Sequence, residues 1–304
     1  MGESGARAKL GAIRAVTYAV ADLAAIEAAY AIELGYQIAA RGRISEPEAR
    51  AWGAPAVAGR RSLTLGPASG EAVHLRFVES PAAAGWRALK TFGWNATEFV
   101  VEDVDALAAG LEGGAFTIIG PPKGLTRFPM IRAMQVVGPA GECCYFTEVG
   151  PGSGLDLARA RAFVGRVFIV VAAGADADHI LGSYARFANP IDSPVATPVK
   201  VISDAHGLPE TTLHRHGLVR LPGGCLIEVD AYPSTARPRA QGDGELPPGM
   251  AMVTFTLGTP GDLDLIAPPA PSSLPGAAGF AGLIRGAAGE LIEVVSAELR
   301  HQWT

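Results

Sequence analysis

Apolar and polar positions alternate along residues 13–20, Ile-Arg-Ala-Val-Thr-Tyr-Ala-Val, and this period of two predicts a half-buried strand. Asp22 follows as a helix cap, residues 23–34 carry an amphipathic helical pattern, and Gly35 ends it. The same piece returns. Residues 96–101 alternate like a strand, Asp103 caps residues 104–111, and Gly113-Gly114 stops them. A third copy runs from the strand at 166–173 through Asp176 into a helix over 176–187. A fourth begins at 250–257, with only a short, proline-broken helical stretch near Gly261, Asp262 and Leu263.

Each copy closes on a second recurring pattern, a turn glycine followed by a strand with a polar residue four places on. The four are Gly70 to His74, Gly141 to Tyr145, Gly224 to Glu228 and Gly289 to Glu293. They recur at roughly 65 to 85 residues, the length of one supersecondary unit. Two of them share a Gly-Pro-Ala turn, at Gly66 and Gly138. A strand, a helix and a run of strands make a βαβββ module, so the chain predicts four. The Gly-rich stretch 151–155 separates a domain at 1–150, holding modules one and two, from one at 151–304, holding modules three and four. The Pro/Gly-rich stretch 233–248 joins modules three and four.

This organisation resembles the vicinal oxygen chelate superfamily, which includes glyoxalase, bleomycin-resistance and extradiol dioxygenase proteins. The motifs are Val20-Ala-Asp22-Leu23 followed by Tyr30 and Leu34-Gly35-Tyr36, and Gly138-Pro-Ala-Gly141 followed by a polar strand residue. The resemblance implies an α+β fold: two domains, each of paired βαβββ modules whose curled mixed sheet forms a cup with helices outside. It implies metal ligands of two kinds, a histidine on a module's first strand and a glutamate on its last. Counting seven residues back from the cap places the first-strand positions at Ala15 and Ala96, with Ile169 and Phe255 by the same count in modules three and four. None is histidine. The last-strand positions are His74, Tyr145, Glu228 and Glu293.

No metal is therefore expected in modules one and two. A divalent metal, if modules three and four hold one, would take Glu228 or Glu293 with His214 or His216, which share a strand face. The expected ligand site is a cup of modules one and two. His74, Glu98 and Tyr145 are its candidate catalytic groups, and Arg76, Arg132, Trp94, Phe128 and Met130 its substrate-binding ones. Trp52 and Trp86 are further wall candidates. Each of these side chains has a structural reading beside the functional one: a solvated strand face, a salt bridge, or packing at a seam.

Composition narrows the function classes. Apolar residues make up 49% and charged residues 18%, enough for a large core and too little charge for disorder. A net charge of −5 without a basic stripe argues against nucleic acid. No apolar run approaches the ~20 residues a membrane helix needs, nor does the start of the chain read as a signal peptide, so a cytoplasmic protein is expected. The cysteines are Cys143, Cys144 and Cys225, an odd count with no framework spacing, read as core residues in a reducing compartment. The partner is a small molecule, with a homodimer left open. Three functions stay open: acid–base or enolate chemistry on a small, mostly apolar aromatic or carbonyl compound, as a lyase or isomerase; a metal-dependent extradiol-type dioxygenase; and a non-catalytic binding or resistance protein.

Overall fold

A computed structural model describes residues 7–125, 128–259 and 261–301. Module one holds β1 (Lys9–Val20), α1 (Leu23–Ile32), β2 (Gln37–Arg43), α2 (Glu46–Ala51), β3 (Arg61–Gly66) and β4 (His74–Glu79). Module two holds β5 (Gly93–Val101), α3 (Val104–Gly110), β6 (Thr117–Leu125), β7 (Phe128–Val137) and β8 (Cys143–Val149). Module three holds β9 (Val164–Gly174), α4 (Ala177–Tyr184), β10 (Val195–Pro198), α5 (Lys200–His206), β11 (Leu213–Leu221) and β12 (Cys225–Ala231). Module four holds β13 (Gly249–Thr259), β14 (Ala270–Pro271), β15 (Phe280–Arg285) and β16 (Leu291–Ser296).

The expected caps form. Asp22 accepts hydrogen bonds from the Ala24 and Ala25 amides, Asp103 from Ala106 and Asp176 from His179, each satisfying amides that a helix start leaves unpaired. Module four departs from the pattern. Its described residues between β13 and β14 form no helix, in a stretch dense in Pro and Gly.

The strands make two eight-stranded mixed sheets, ordered β14-β15-β16-β13-β1-β4-β3-β2 and β10-β11-β12-β9-β5-β8-β7-β6. Module one thus shares a sheet with module four, and module two with module three. This corrects the expected cup of modules one and two. The join is antiparallel pairing of first strands, β1 on β13 and β5 on β9. Modules one and two do touch, but across the sheets. Tyr30 on α1 donates to Glu142 in the turn before β8, at 3.0 Å. Modules three and four repeat that contact, with Tyr184 on α4 donating to Glu290 at 3.0 Å.

Strand alternation sorts the side chains as the sequence pattern implies. Val16, Tyr18 and Val20 of β1, with Trp94, Phe99 and Val101 of β5, join the helices in one continuous core between the sheets. The alternate residues line the two curled faces. In the cup of modules one and four, α2 and the turn after it fill the space: Ala49, Trp52, Ala54 and Val57 pack on Ala19, Val78, Met252 and Leu291. In the cup of modules two and three, Val201 and Ile202 of α5 pack on Ala96, Cys143 and Val171 near one end. Ala158 packs on Val100 and Ile169 near the other. No helix among the described residues is long and apolar enough to cross a membrane.

Candidate active site

The sheet register decides which residues share a level inside each cup. Along each module's first and last strands the neighbours are Thr17 and Arg76, Glu98 and Tyr145, Val171 and Glu228, and Thr254 and Glu293. Thr17, Glu98 and Val171 each lie five residues before a capping aspartate. The positions expected seven residues before it, Ala15 and Ala96, lie one pleat away on the same face. Ile169 pairs with Leu226, not with Glu228, and Phe255 belongs to the core between the sheets. His74 is displaced likewise: module one has two extra residues between its turn glycine and its strand, so Arg76 takes the level that Tyr145, Glu228 and Glu293 hold elsewhere.

The cup of modules one and four is closed by its own charges. Arg76, 3% exposed, donates to Glu293 at 2.9 Å, to Glu48 at 3.2 Å and to Thr17 at 2.9 Å, and its guanidinium lies 4.4 Å from the Trp52 ring centre. Trp52 Nε1 donates to the other Glu293 oxygen at 2.6 Å, and Ser273 donates to Glu48. Thr254 donates to Glu293 as well. Burial raises the Glu48 carboxyl and Arg76 pulls it back. His74 is buried on this face, where burial and then the Arg14 charge lower its imidazolium pKa.

The cup of modules two and three has the opposite character, with acids that no Arg or Lys among the described residues pairs with. Glu98 is buried and accepts from Thr147 at 2.5 Å. Burial, aided by the charge of Glu228, pushes its carboxyl up to about 8, while the Thr147 hydrogen bond lowers it. Glu228 is raised by burial and eased by His216 and Asp230. Asp230 is raised further, by burial and then by Glu228. Tyr145 stays a phenol, raised first by burial. His216 sits across β11 from Asp230, with Nδ1 4.0 Å from Glu228 Oε1 and Nε2 hydrogen-bonded to Thr197 Oγ1 at 2.9 Å. Phe128 and Leu218 pack at this cup's apolar end.

The other candidates fall elsewhere. Arg132 lies at the surface, one guanidinium nitrogen donating to both carboxylate oxygens of Asp105 of α3 at 2.8 Å. Met130 is exposed. Trp94 is in the core, donating to the Leu291 carbonyl at 2.6 Å, and borders a cavity of about 220 Å³ at the seam with Arg239 and Glu290. Trp86 lies with Ala88 and Leu89 beside the α5 end of the second cup. His214 shares a strand face with His216 but bonds Ser203 of α5 at 2.9 Å. The cysteines are buried and free. Of the loop at 123–132, Thr126 and Arg127 lie outside the described residues, as do residues 1–6 at the start of the chain. Asp230 escaped the sequence reading. Its signal was its place two residues beyond Glu228, on the same face of the same strand.

A ring of metal ligands at equivalent strand positions does not fit either cup. One ring holds the Arg76 guanidinium, a cation with no free pair to give. The other holds Val171, which has no donor atom, and the raised phenol of Tyr145.

No protein-family model matches the sequence, and no curated protein matches it. The fold does match. Glyoxalase I from Zea mays superposes with a TM-score of 0.61 at 12% identity, over 95% of this chain and 93% of that one. A dioxygenase candidate from Bacillus subtilis gives 0.61 at 13% identity, over 97% and 89%. At such identities the likeness speaks for the fold alone.

Proposed function

Because this chain has the fold of the vicinal oxygen chelate superfamily, we propose that the cup of modules two and three moves a proton on a small, mostly apolar carbonyl or aromatic compound bearing an enolisable oxygen, as a lyase or isomerase. One observation carries the reading. Glu98, with a carboxyl pushed up to about 8, stands on a face that also carries Tyr145, Glu228, Asp230 and His216, while in the opposite cup Arg76 answers Glu48 and Glu293. A carboxyl held near neutrality gives up or takes a proton at pH 7 with little driving force lost.

The roles follow from chemistry. Tyr145, kept protonated, donates to the substrate oxygen and stabilises the charge that develops there. Glu98 exchanges the carbon-bound proton, with Thr147 orienting its carboxyl. Phe128 and Leu218 wall the apolar part of the substrate. No step passes through a metal.

The test is solvent exchange. Small enolisable carbonyl compounds that raise the protein's unfolding temperature are incubated with it in D2O, and deuterium incorporation is followed by NMR. Glu98→Gln is expected to slow exchange by roughly 10²-fold or more, and Met252→Leu in the opposite cup to leave it unchanged. Binding without exchange would make the protein a sequestering one.

A further inference from the structure

Three buried polar atoms in the second cup lack any partner: His216 Nδ1, Asp230 Oδ1 and the Tyr232 hydroxyl. Asp230 is only 2% exposed, so its bare oxygen is shut off from bulk water as well. A buried carboxylate oxygen with no donor is costly, and proteins rarely leave one so. Ligand atoms of His216, Glu228 and Asp230 all lie within 4.8 Å of one another.

The backbone builds this convergence. β11 and β12 pair antiparallel with His216 opposite Asp230 and Leu218 opposite Glu228. One pleat therefore brings an imidazole and two carboxylates to one face from a single hairpin. Thr197, on the neighbouring strand β10 and directly beside this hairpin, holds His216 Nε2 at 2.9 Å. That contact fixes the ring and leaves Nδ1 as the free donor atom. No Arg or Lys side chain bonds or pairs with any of the three residues among the described contacts, in contrast to Glu293 under Arg76.

We propose that His216, Glu228 and Asp230 form a binding site for one divalent transition-metal ion, with the Tyr232 hydroxyl beside it. Two carboxylates and an imidazole suit ions of the Mn2+, Fe2+, Co2+ and Zn2+ group. Donors about 2.0–2.2 Å from an ion stand about 3–3.5 Å apart, so modest side-chain rotation from the present spacing completes the site. The site draws on the third and fourth strands of one module. The first strand contributes nothing, since Val171 stands beside Glu228. Three protein donors leave coordination positions open, on the face that Glu98 and Tyr145 share. Binding itself does not depend on the proton-transfer reading. Only its use in turnover rests on that.

Full-length protein stripped with EDTA is titrated with MnCl2 and with ZnCl2 by calorimetry, and Co2+ absorption reports N/O coordination. One equivalent is expected to bind, and saturating metal to raise the unfolding temperature. Asp230→Asn and His216→Ala should each weaken binding at least tenfold. Thr197→Val, which frees the ring without touching a ligand, should weaken it severalfold and guards against a variant that fails to fold. No saturable binding by the parent, or binding equal in all three variants, overturns the site. The titration reads no turnover and the exchange assay needs no added metal, so either proposal can fail without the other.

Discussion

Arg76 and Glu293 meet at 2.9 Å across 217 positions of the chain, both nearly fully buried. The pair joins the first module to the fourth through the floor of their shared cup. It converts two side chains that looked like site residues into the structural centre of that cup.

Removing one member of such a cluster leaves the others charged, buried and unpaired. Arg76→Met is expected to destabilise the protein by about 3–5 kcal/mol in chemical denaturation, because Glu293 and Glu48 both lose their cation. Adding Glu293→Gln should recover part of that loss, since the second change removes a stranded charge. A full cost in the double variant as large as the sum of the singles would contradict the coupling.

Glu142 offers a pH test away from either cup. Burial pushes its carboxyl from the usual 4.5 up to about 7, against the pull of Tyr30 and the Ala140 amide. In the unfolded chain it ionises near 4.5, and in the folded protein only near 7. Its contribution to stability is whole below the first value and declines as pH climbs to the second, by roughly 3 kcal/mol at about 1.36 kcal/mol per unit. Glu142→Gln should flatten the fall in unfolding free energy between pH 5 and about 7.5 relative to the parent. Parallel curves for the two proteins would refute it.

Gly249 opens β13 with φ +72°, and a Cβ there would stand 2.3 Å from the Trp86 ring. Gly249→Ala combines a left-handed backbone for a residue that resists it with a collision against a buried aromatic. A loss of roughly 2–4 kcal/mol is expected by thermal or urea unfolding. Trp86→Leu in the same chain should reduce the penalty of the alanine, because only the collision depends on the ring.

Much of the fold was legible because its signals are local. Asp22, Asp103 and Asp176 announce three helix starts through bonds two or three residues away. The turn glycines announce the last strands. The period of two put Ala15, Thr17 and Ala19 on one face and Val16, Tyr18 and Val20 on the other. The placement of Glu98 and Tyr145 together on a cup face was legible for the same reason, since their strands belong to one module and pair directly.

What stayed hidden depends on contacts between distant segments. The sequence by itself determined four modules, the helix caps of three of them, and the alternation of faces along their strands. Tertiary structure decided which modules share a cup. First strands β1, β5, β9 and β13 look alike as alternating apolar segments, and no turn links β1 to β13, so hydrophobic pattern alone allows several partners. It also decided the register, since two extra residues after Gly70 shift Arg76 into the place that counting assigned to His74. Pairing β11 with β12 then set His216 opposite Asp230, a neighbour relation fixed by the hairpin's hydrogen bonds and invisible in either residue's own surroundings along the chain.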